Sequence, residues 1–257
     1  MRHTKSLALA QSRPARLHTE YLTLSDEEAT SPHAGGPRMT QGHTGRDALY
    51  VPGYTEDEFH RLTDQGQLVA SSTRALLLEA GIGPGMRVLD VGCGPGDVSL
   101  LAAQRVGPTG EVVGLDINDR VLELARARAA ASGATQVRFI QTDLREFPVD
   151  RPFDAVVGRF VLMYLAAPAD VVRRVLHHVG PGGIVAFQDF QIEHTPLASA
   201  RVPLWEQWCS WIVALYPRSG VETNMGLRLR QTFLDAGLPA PRVHMDACLA
   251  CRATRWW

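Results

Sequence analysis

The chemistry legible in this chain sits on three glycines and the acids around them. The run Val88-Leu89-Asp90-Val91-Gly92-Cys93-Gly94-Pro95-Gly96-Asp97 sets an acid two residues before glycines at alternate positions, then continues into the helix-like Val98-Ser99-Leu100-Leu101. A buried parallel strand that turns sharply into a helix is written this way. Glycine lets backbone approach a ligand with no Cβ between them, and a helix start offers unpaired N–H groups. Asp116 closes the next apolar run about twenty residues on, where a strand-end acid can accept from both ribose hydroxyls, with Ile117 beside it for an adenine face. Asp143 closes the third run; its carboxylate can take an adenine amino group while Leu144 offers its backbone N–H. Taken alone, Asp116 reads equally as a helix cap and Asp143 as a loop cap. Their spacing from the glycine turn favours a nucleoside-containing cofactor.

Two cofactor classes compete for such a turn. Dinucleotide enzymes use G-x-G-x-x-G, whose third glycine lets the helix pack close while the pyrophosphate sits on its N-terminus. Here Asp97 stands where that third glycine would be. A carboxylate at the helix start, with Asp90 nearby, repels a pyrophosphate but not an ammonium group. S-adenosylmethionine, with no phosphate, one ammonium and one sulfonium, fits this field.

The elements that must hold these residues follow from periodicity. Strands are expected at 87–91, 111–116, 136–141, 153–158 and 183–190, and helices at 97–106, 119–132 and 169–179, with Gly107-Pro108-Thr109-Gly110 and Gly180-Pro181-Gly182-Gly183 as joints. Strand and helix in alternation mean an α/β, mostly parallel sheet covered on both faces, with ligands at the carboxyl ends of its strands. Upstream, Thr55-Glu56-Asp57-Glu58 is a capping box. The helical pattern behind it has a candidate break at Gly66 and a second run over 74–79. Downstream, 198–216 reads as a helix carrying Trp205, Trp208, Ile212 and Leu215, a stripe expected in the core, with a pocket wall as second reading. A helix over 224–236 and a sixth strand over 242–247 complete the pattern.

With these motifs in place, residues 50–190 resemble the class I S-adenosylmethionine-dependent methyltransferases, most closely the small-molecule branch containing the ubiquinone and menaquinone methyltransferases. The family's acid-x-Gly-x-Gly-x-Gly run matches Asp90, Gly92, Gly94 and Gly96 around Cys93; its ribose acid matches Asp116 and its adenine-side acid Asp143. The stretch from Phe153 to Leu165 is similar to its fourth strand and following loop, and Pro181-Gly182-Gly183 to the turn before its fifth strand. The resemblance implies a Rossmann-like, seven-stranded sheet with one antiparallel strand, and direct displacement of a sulfonium methyl by an oxygen or ring carbon of a small molecule. No motif fixes a general base; His194, Asp189, Glu193 and Tyr164 lie near strand ends, and Arg159 either meets a cofactor carboxylate or forms a rim salt bridge. Tyr50, Tyr54 and Gln65 are candidates to close over the cofactor. His177 and His178 are expected at the surface or as caps. The alternative from another class is a scaffold or regulator that binds the cofactor without turnover.

Residues 1–45 read as a disordered extension, 46–85 as a helical cover and 86–257 as the cofactor domain with a helical insertion at about 197–237. Met39 would serve equally as a start, so the first 38 residues are expected to add little. After the sixth strand, Arg252-Ala253-Thr254-Arg255-Trp256-Trp257 is a poor final strand, so the last strand is either very short or missing, and a homodimer could cover the exposed edge. Net charge of −1 gives no basic stripe for nucleic acid, and no run of eighteen apolar residues suggests a membrane span. Four scattered cysteines suit a reducing cytoplasm, and the CxxC at Cys248 and Cys251 lacks the partners of a zinc site. No metal is expected.

Overall fold

The computed structural model describes residues 19–23, 55–148, 150–192 and 203–246. Five parallel strands form the centre of a single sheet: β2 (Arg87–Val91), β3 (Glu111–Asp116), β4 (Val137–Gln141), β5 (Phe153–Arg159) and β6 (Val179–Gln188). Two short strands extend it, β1 (Thr19–Thr23) and β7 (Arg242–His244), giving the order β4-β3-β2-β5-β6-β1-β7. The helices are α1 (Glu56–Glu79), α2 (Asp97–Val106), α3 (Asp119–Ala131), α4 (Pro168–Val175), α5 (Pro203–Leu215) and α6 (Met225–Asp235).

All five residues of β2 are buried, as a central strand covered on both faces requires. Its alternate side chains feed two cores. Val88 joins Val112, Ala155, Val157 and Ile184 beneath Leu76 and Leu77 of α1 and Leu101 and Val106 of α2. Leu89 and Val91 join Val156, Val185 and Phe187 beneath Val172 and Val175 of α4 and Leu229 and Phe233 of α6. The carboxyl ends of β2, β3 and β4 therefore share one edge, and the glycine turn lies on it.

Four features differ from the sequence expectation. First, α1 is a single helix that passes through Gly66 without a break, capped by Thr55 Oγ1, which accepts the Glu58 N–H at 3.2 Å. Glycine at 66 serves close approach: a Cβ there would lie 2.3 Å from Asp97 Oδ2. Second, β6 starts at Val179, so the Gly180-Pro181-Gly182-Gly183 signal is an irregularity within a strand, where register shifts between the Phe153–Val179 and Ala155–Ile184 pairs. Third, the apolar stripe expected over α5 is not core where it is described: Trp208 and Leu215 are exposed and Ile212 is half-buried, while α6 supplies buried side chains.

The fourth concerns the N-terminal stretch expected to be disordered. Residues 19–23 form a strand inside the sheet, antiparallel to β6 through the pairs Glu20–Phe187, Tyr21–Ala186 and Leu22–Val185, and antiparallel to β7 through Glu20–Val243 and Tyr21–Arg242. Seven strands, one of them antiparallel, thus pair among the described residues, and the antiparallel strand is β1, which precedes all the others in sequence. The CxxC and the terminal tryptophans lie outside the described residues, as do Tyr50, Tyr54, Glu193 and His194.

Candidate functional site

The turn between β2 and α2 takes its shape from three glycines in the left-handed region, with φ of 64° at Gly92, 52° at Gly94 and 82° at Gly96. A Cβ at Gly92 would lie 2.7 Å from Val161 Cγ2, and one at Gly96 would lie 2.9 Å from Phe139 Cζ. Those two glycines permit internal packing. Gly94 is different: a Cβ there would meet nothing within 4 Å. Its backbone faces open space, as a ligand cradle requires. The turn is fixed from below by Arg128 of α3, whose Nη1 donates to the Pro95 carbonyl at 2.6 Å. Cys93 is buried, with burial raising its thiol pKa well above the usual range.

Asp116, at the end of β3, reaches back to the turn. Its Oδ2 accepts from the Gly94 N–H at 2.9 Å and its Oδ1 from the Asn118 N–H at 3.0 Å. A carboxylate has about four acceptor positions, so the backbone N–H groups of Gly94, Asn118 and Ile117 still leave acceptor capacity towards a ribose. Ile117 beside it is 65% exposed, an apolar face turned to solvent among the described residues. Asp143, beyond β4, is held by Arg145 through Nε at 2.9 Å and Nη2 at 2.5 Å, and that pairing keeps its carboxyl below the usual range. The neighbouring Leu144 side chain is buried in the core. Asn118 caps α3 by accepting the Arg120 N–H, so the cap role weighed for Asp116 belongs to its neighbour.

Asp90 does not open onto the cradle. It is buried beneath the turn and accepts the Ser99 hydroxyl at 2.6 Å; burial pushes its carboxyl up to about 7 against the opposing pull of Ser99 and Arg159. It joins the end of β2 to the first turn of α2, a positioning role. Ser99, two residues beyond Asp97, lies in the first turn of α2, but its pairing with Asp90 is tertiary.

Asp97 changes the electrostatic argument. Its Oδ1 pairs with Arg128 Nη2 at 2.6 Å and its Oδ2 with Arg159 Nη2 at 3.4 Å. Its charge is therefore matched and does not repel anions as the sequence suggested. The side chain is also covered: α1 lies so close at Gly66 that Asp97 is left 10% exposed. Arg159 is no rim residue either. Burial lowers its pKa, and its Nη1 donates at 3.0 Å to Thr73 Oγ1, which in turn donates to Gln188 Oε1 at 2.8 Å. Gln188, Thr73, Arg159, Asp97 and Arg128 thus link β6, α1, β5, α2 and α3. Thr73, Arg128 and Gln188 carried no local signal, because their partners are remote in sequence.

The acceptor side has two of its candidate bases among the described residues. Asp189 follows β6 and is buried; Oδ2 accepts from the Leu162 N–H at 3.1 Å, and Oδ1 has no hydrogen-bond partner among the described residues. Burial pushes its carboxyl up to about 8. Tyr164, in the 3-10 turn Leu162–Tyr164, has its phenol pKa raised by burial and by the neighbouring Tyr216 and Asp189. Gln65 lies on α1, where its Oε1 accepts from Arg61 at 3.4 Å. His177 is exposed, while His178 is fully buried, with both ring nitrogens 3.2 Å from the carbonyls of Arg174 and Phe147 and its ring stacked on Phe147. It is an internal cap, away from the cradle. A separate cleft of about 350 Å³ is lined by residues such as Leu165, Pro168, Val221 and Met225, and none of the turn residues lines it. No group of His, Cys, Asp and Glu side chains suited to a metal occurs among the described residues.

A glycine cradle at the end of a central parallel strand, with acids at the ends of the next two strands, defines a nucleoside-cofactor domain of the Rossmann-like α/β class. The chain belongs to the methyltransferase domain family, whose match spans residues 82–226. It is 40% identical over 120 residues to the ubiquinone/menaquinone biosynthesis C-methyltransferase of Ectopseudomonas mendocina, covering 46% of this chain and 47% of that protein. It is 37% identical over 103 residues to the trans-aconitate 2-methyltransferase of Streptomyces coelicolor, covering 40% of this chain and 34% of that one. The chain thus spans about half the length, or less, of these curated relatives. Among solved structures, a putative methyltransferase from Bacillus halodurans superposes with a TM-score of 0.51 at 23% identity, covering 65% of this chain and 68% of the other, a likeness of fold.

Proposed function

We propose that the protein binds S-adenosylmethionine at the glycine turn and transfers its methyl group to a small molecule, at oxygen or at a ring carbon. The observation that carries this is the direction of Gly94, the one glycine of the turn whose missing side chain leaves open space. Asp116 would take the ribose hydroxyls with its remaining lone pairs, Ile117 would cover one adenine face, and Asp143 with the Leu144 N–H would meet the adenine edge. Cys93, Gly92 and Gly96 shape the cradle, and Asp90 and Arg159 hold it from beneath.

The bound sulfonium supplies a methyl group already activated by its positive charge. The new bond from the acceptor forms as the sulfur–methyl bond breaks, S-adenosylhomocysteine leaves, and the acceptor's proton passes to solvent or to a base. The protein's share is alignment of the reactants and exclusion of water. The raised pKa of Tyr164 makes its phenol a poor base at neutral pH, and Asp189, though basic enough at about 8, has its free oxygen Oδ1 buried away from solvent. That favours acceptors ionised in solution, such as acidic phenols, unless His194 serves. The same observation is what favours the second reading, a non-catalytic cofactor-binding scaffold. A cytoplasmic setting and a homodimer belong to this proposal as well; no helix among the described residues is long and apolar enough to cross a membrane.

Titration calorimetry with S-adenosylmethionine tests the assignment. Asp116→Ala is expected to weaken binding at least about tenfold, the loss of roughly 1.4 kcal/mol. Tight NAD binding would overturn the cofactor, and a panel of phenols, quinones and carboxylates gaining no methyl mass would leave the scaffold.

A further inference from the structure

The residue after β5 is held in a conformation that neither the cradle nor the acids require. Phe160, with φ of 56°, is the one non-glycine residue in the left-handed region among the described residues. A bulky side chain is disfavoured there. Two hydrogen bonds hold the turn: the Phe160 N–H donates to the Gln188 carbonyl at 2.8 Å, and the Leu162 N–H donates to Asp189 Oδ2 at 3.1 Å.

The conformation sends neighbouring side chains to different places. Arg159 reaches Asp97 at the start of α2, and Val161 packs where Gly92 has no Cβ, so both touch the cofactor turn. Phe160, between them, lies flat against Phe190, with ring centroids 3.8 Å apart and planes 8° from parallel. Both phenylalanines are only partly buried. The backbone of Phe190 is fixed too, its carbonyl accepting the Gly226 N–H at 2.8 Å at the start of α6. Plain packing accounts for two apolar rings in contact. It does not account for a strained backbone that two ties maintain, a combination found where a ligand is clamped.

We propose that Phe160 and Phe190 form an aromatic plate that takes the ring of a planar aromatic acceptor beside the methyl group to be transferred, with Asp189 as the positioning residue that holds the turn. This rests on the methyltransferase reading above and narrows its substrate class to planar phenols or related rings. A planar ring gains offset stacking on such a plate that an aliphatic acid does not.

The test uses the full chain saturated with S-adenosylhomocysteine, with catechol and 1-naphthol as ring probes and trans-aconitate as the non-aromatic comparator, read by saturation-transfer NMR and by methylation kinetics. Both rings should bind more tightly than trans-aconitate. Phe190→Leu and Phe160→Leu should weaken ring binding roughly tenfold and raise KM more than they lower kcat, with cofactor affinity changed by less than about twofold. Phe190→Leu lies off the strained position and keeps the test valid should Phe160→Leu misfold. Rings that bind no better than trans-aconitate, or leucine variants that bind them as the parent does, would overturn the plate. Ring binding without methylation would remove catalysis and leave the plate standing.

Discussion

Substituting alanine at Gly94 and at Gly96, one at a time, separates the ligand-facing part of the turn from its internal packing. Both residues have positive φ, so each alanine incurs about 1–2 kcal/mol of left-handed strain. At Gly94 the added methyl touches no protein atom within 4 Å, so that strain is the whole expected loss, about 2–8 °C in Tm at roughly 2–4 °C per kcal/mol. At Gly96 the methyl would meet Phe139 Cζ at 2.9 Å and Ala125 Cβ at 3.2 Å, adding about 1–3 kcal/mol of overpacking. The stability order is therefore parent, Gly94→Ala, Gly96→Ala. Ligand response should follow another order. S-adenosylmethionine at a hundred times its Kd stabilises a binding protein by about 2.7 kcal/mol. The Gly94→Ala methyl occupies the cradle and should remove most of that thermal shift. Melting curves with and without ligand read both quantities together. A Gly94→Ala protein with an undiminished ligand shift would refute the cradle, and a Gly96→Ala protein more stable than Gly94→Ala would refute the packing argument.

Three further outcomes follow from the same geometry. Arg159→Met removes one of the two cations on Asp97 in a buried site and should cost about 2–3 kcal/mol by urea denaturation; no loss would mean that Arg128 alone suffices. Asp189 has its carboxyl raised to about 8 in the folded protein. Between its ordinary pKa of about 4 and that value, the folded state holds more protons than the unfolded one, so this group's contribution falls as pH rises. The Tm advantage of Asp189→Asn should therefore grow from about pH 5 to about pH 8.5; a constant difference would contradict the raised value. Deleting residues 1–38 removes β1 from between β6 and β7 and should lower Tm and promote aggregation by baring a sheet edge; light scattering and melting curves unchanged from the full chain would show that β1 contributes nothing.

The central elements were legible because their signals are local. The bounds of β2, β3 and α2 follow from apolar runs and the glycine turn between them. The nearness of Asp116 to the glycine turn was legible for the same reason, since strand ends and turn spacing place Asp116 and Gly94 within one hydrogen bond. What escaped is what depends on contacts far apart in sequence. Asp97 looked like a bare charge because Arg128 and Arg159 lie on other elements. Gly66 looked like a helix break because its neighbour in space, Asp97, is not its neighbour in the chain. The left-handed Phe160 has no glycine or asparagine to announce it. On α5, helical spacing showed a stripe but not which side it faced, and Trp208 and Leu215 proved to be exposed. The strand at 19–23 lies in a polar stretch whose pairing is set by edges formed elsewhere.

That strand has a consequence for how the chain reaches its final form. During synthesis β1 emerges before the other described elements, yet both of its neighbours, β6 and β7, follow only after β2 through β5. Contacts of such high sequence separation form late, since the loop must close before they contribute. The parallel centre, β2 through β6, can assemble while β1 waits, leaving an unpaired β6 edge on the nascent protein for that interval. Capture of β1 is then a clasp that joins an early-made strand to two made later. Any refolding intermediate should carry an assembled cofactor edge and an open opposite edge, so ligand binding and resistance to aggregation would be recovered at different times.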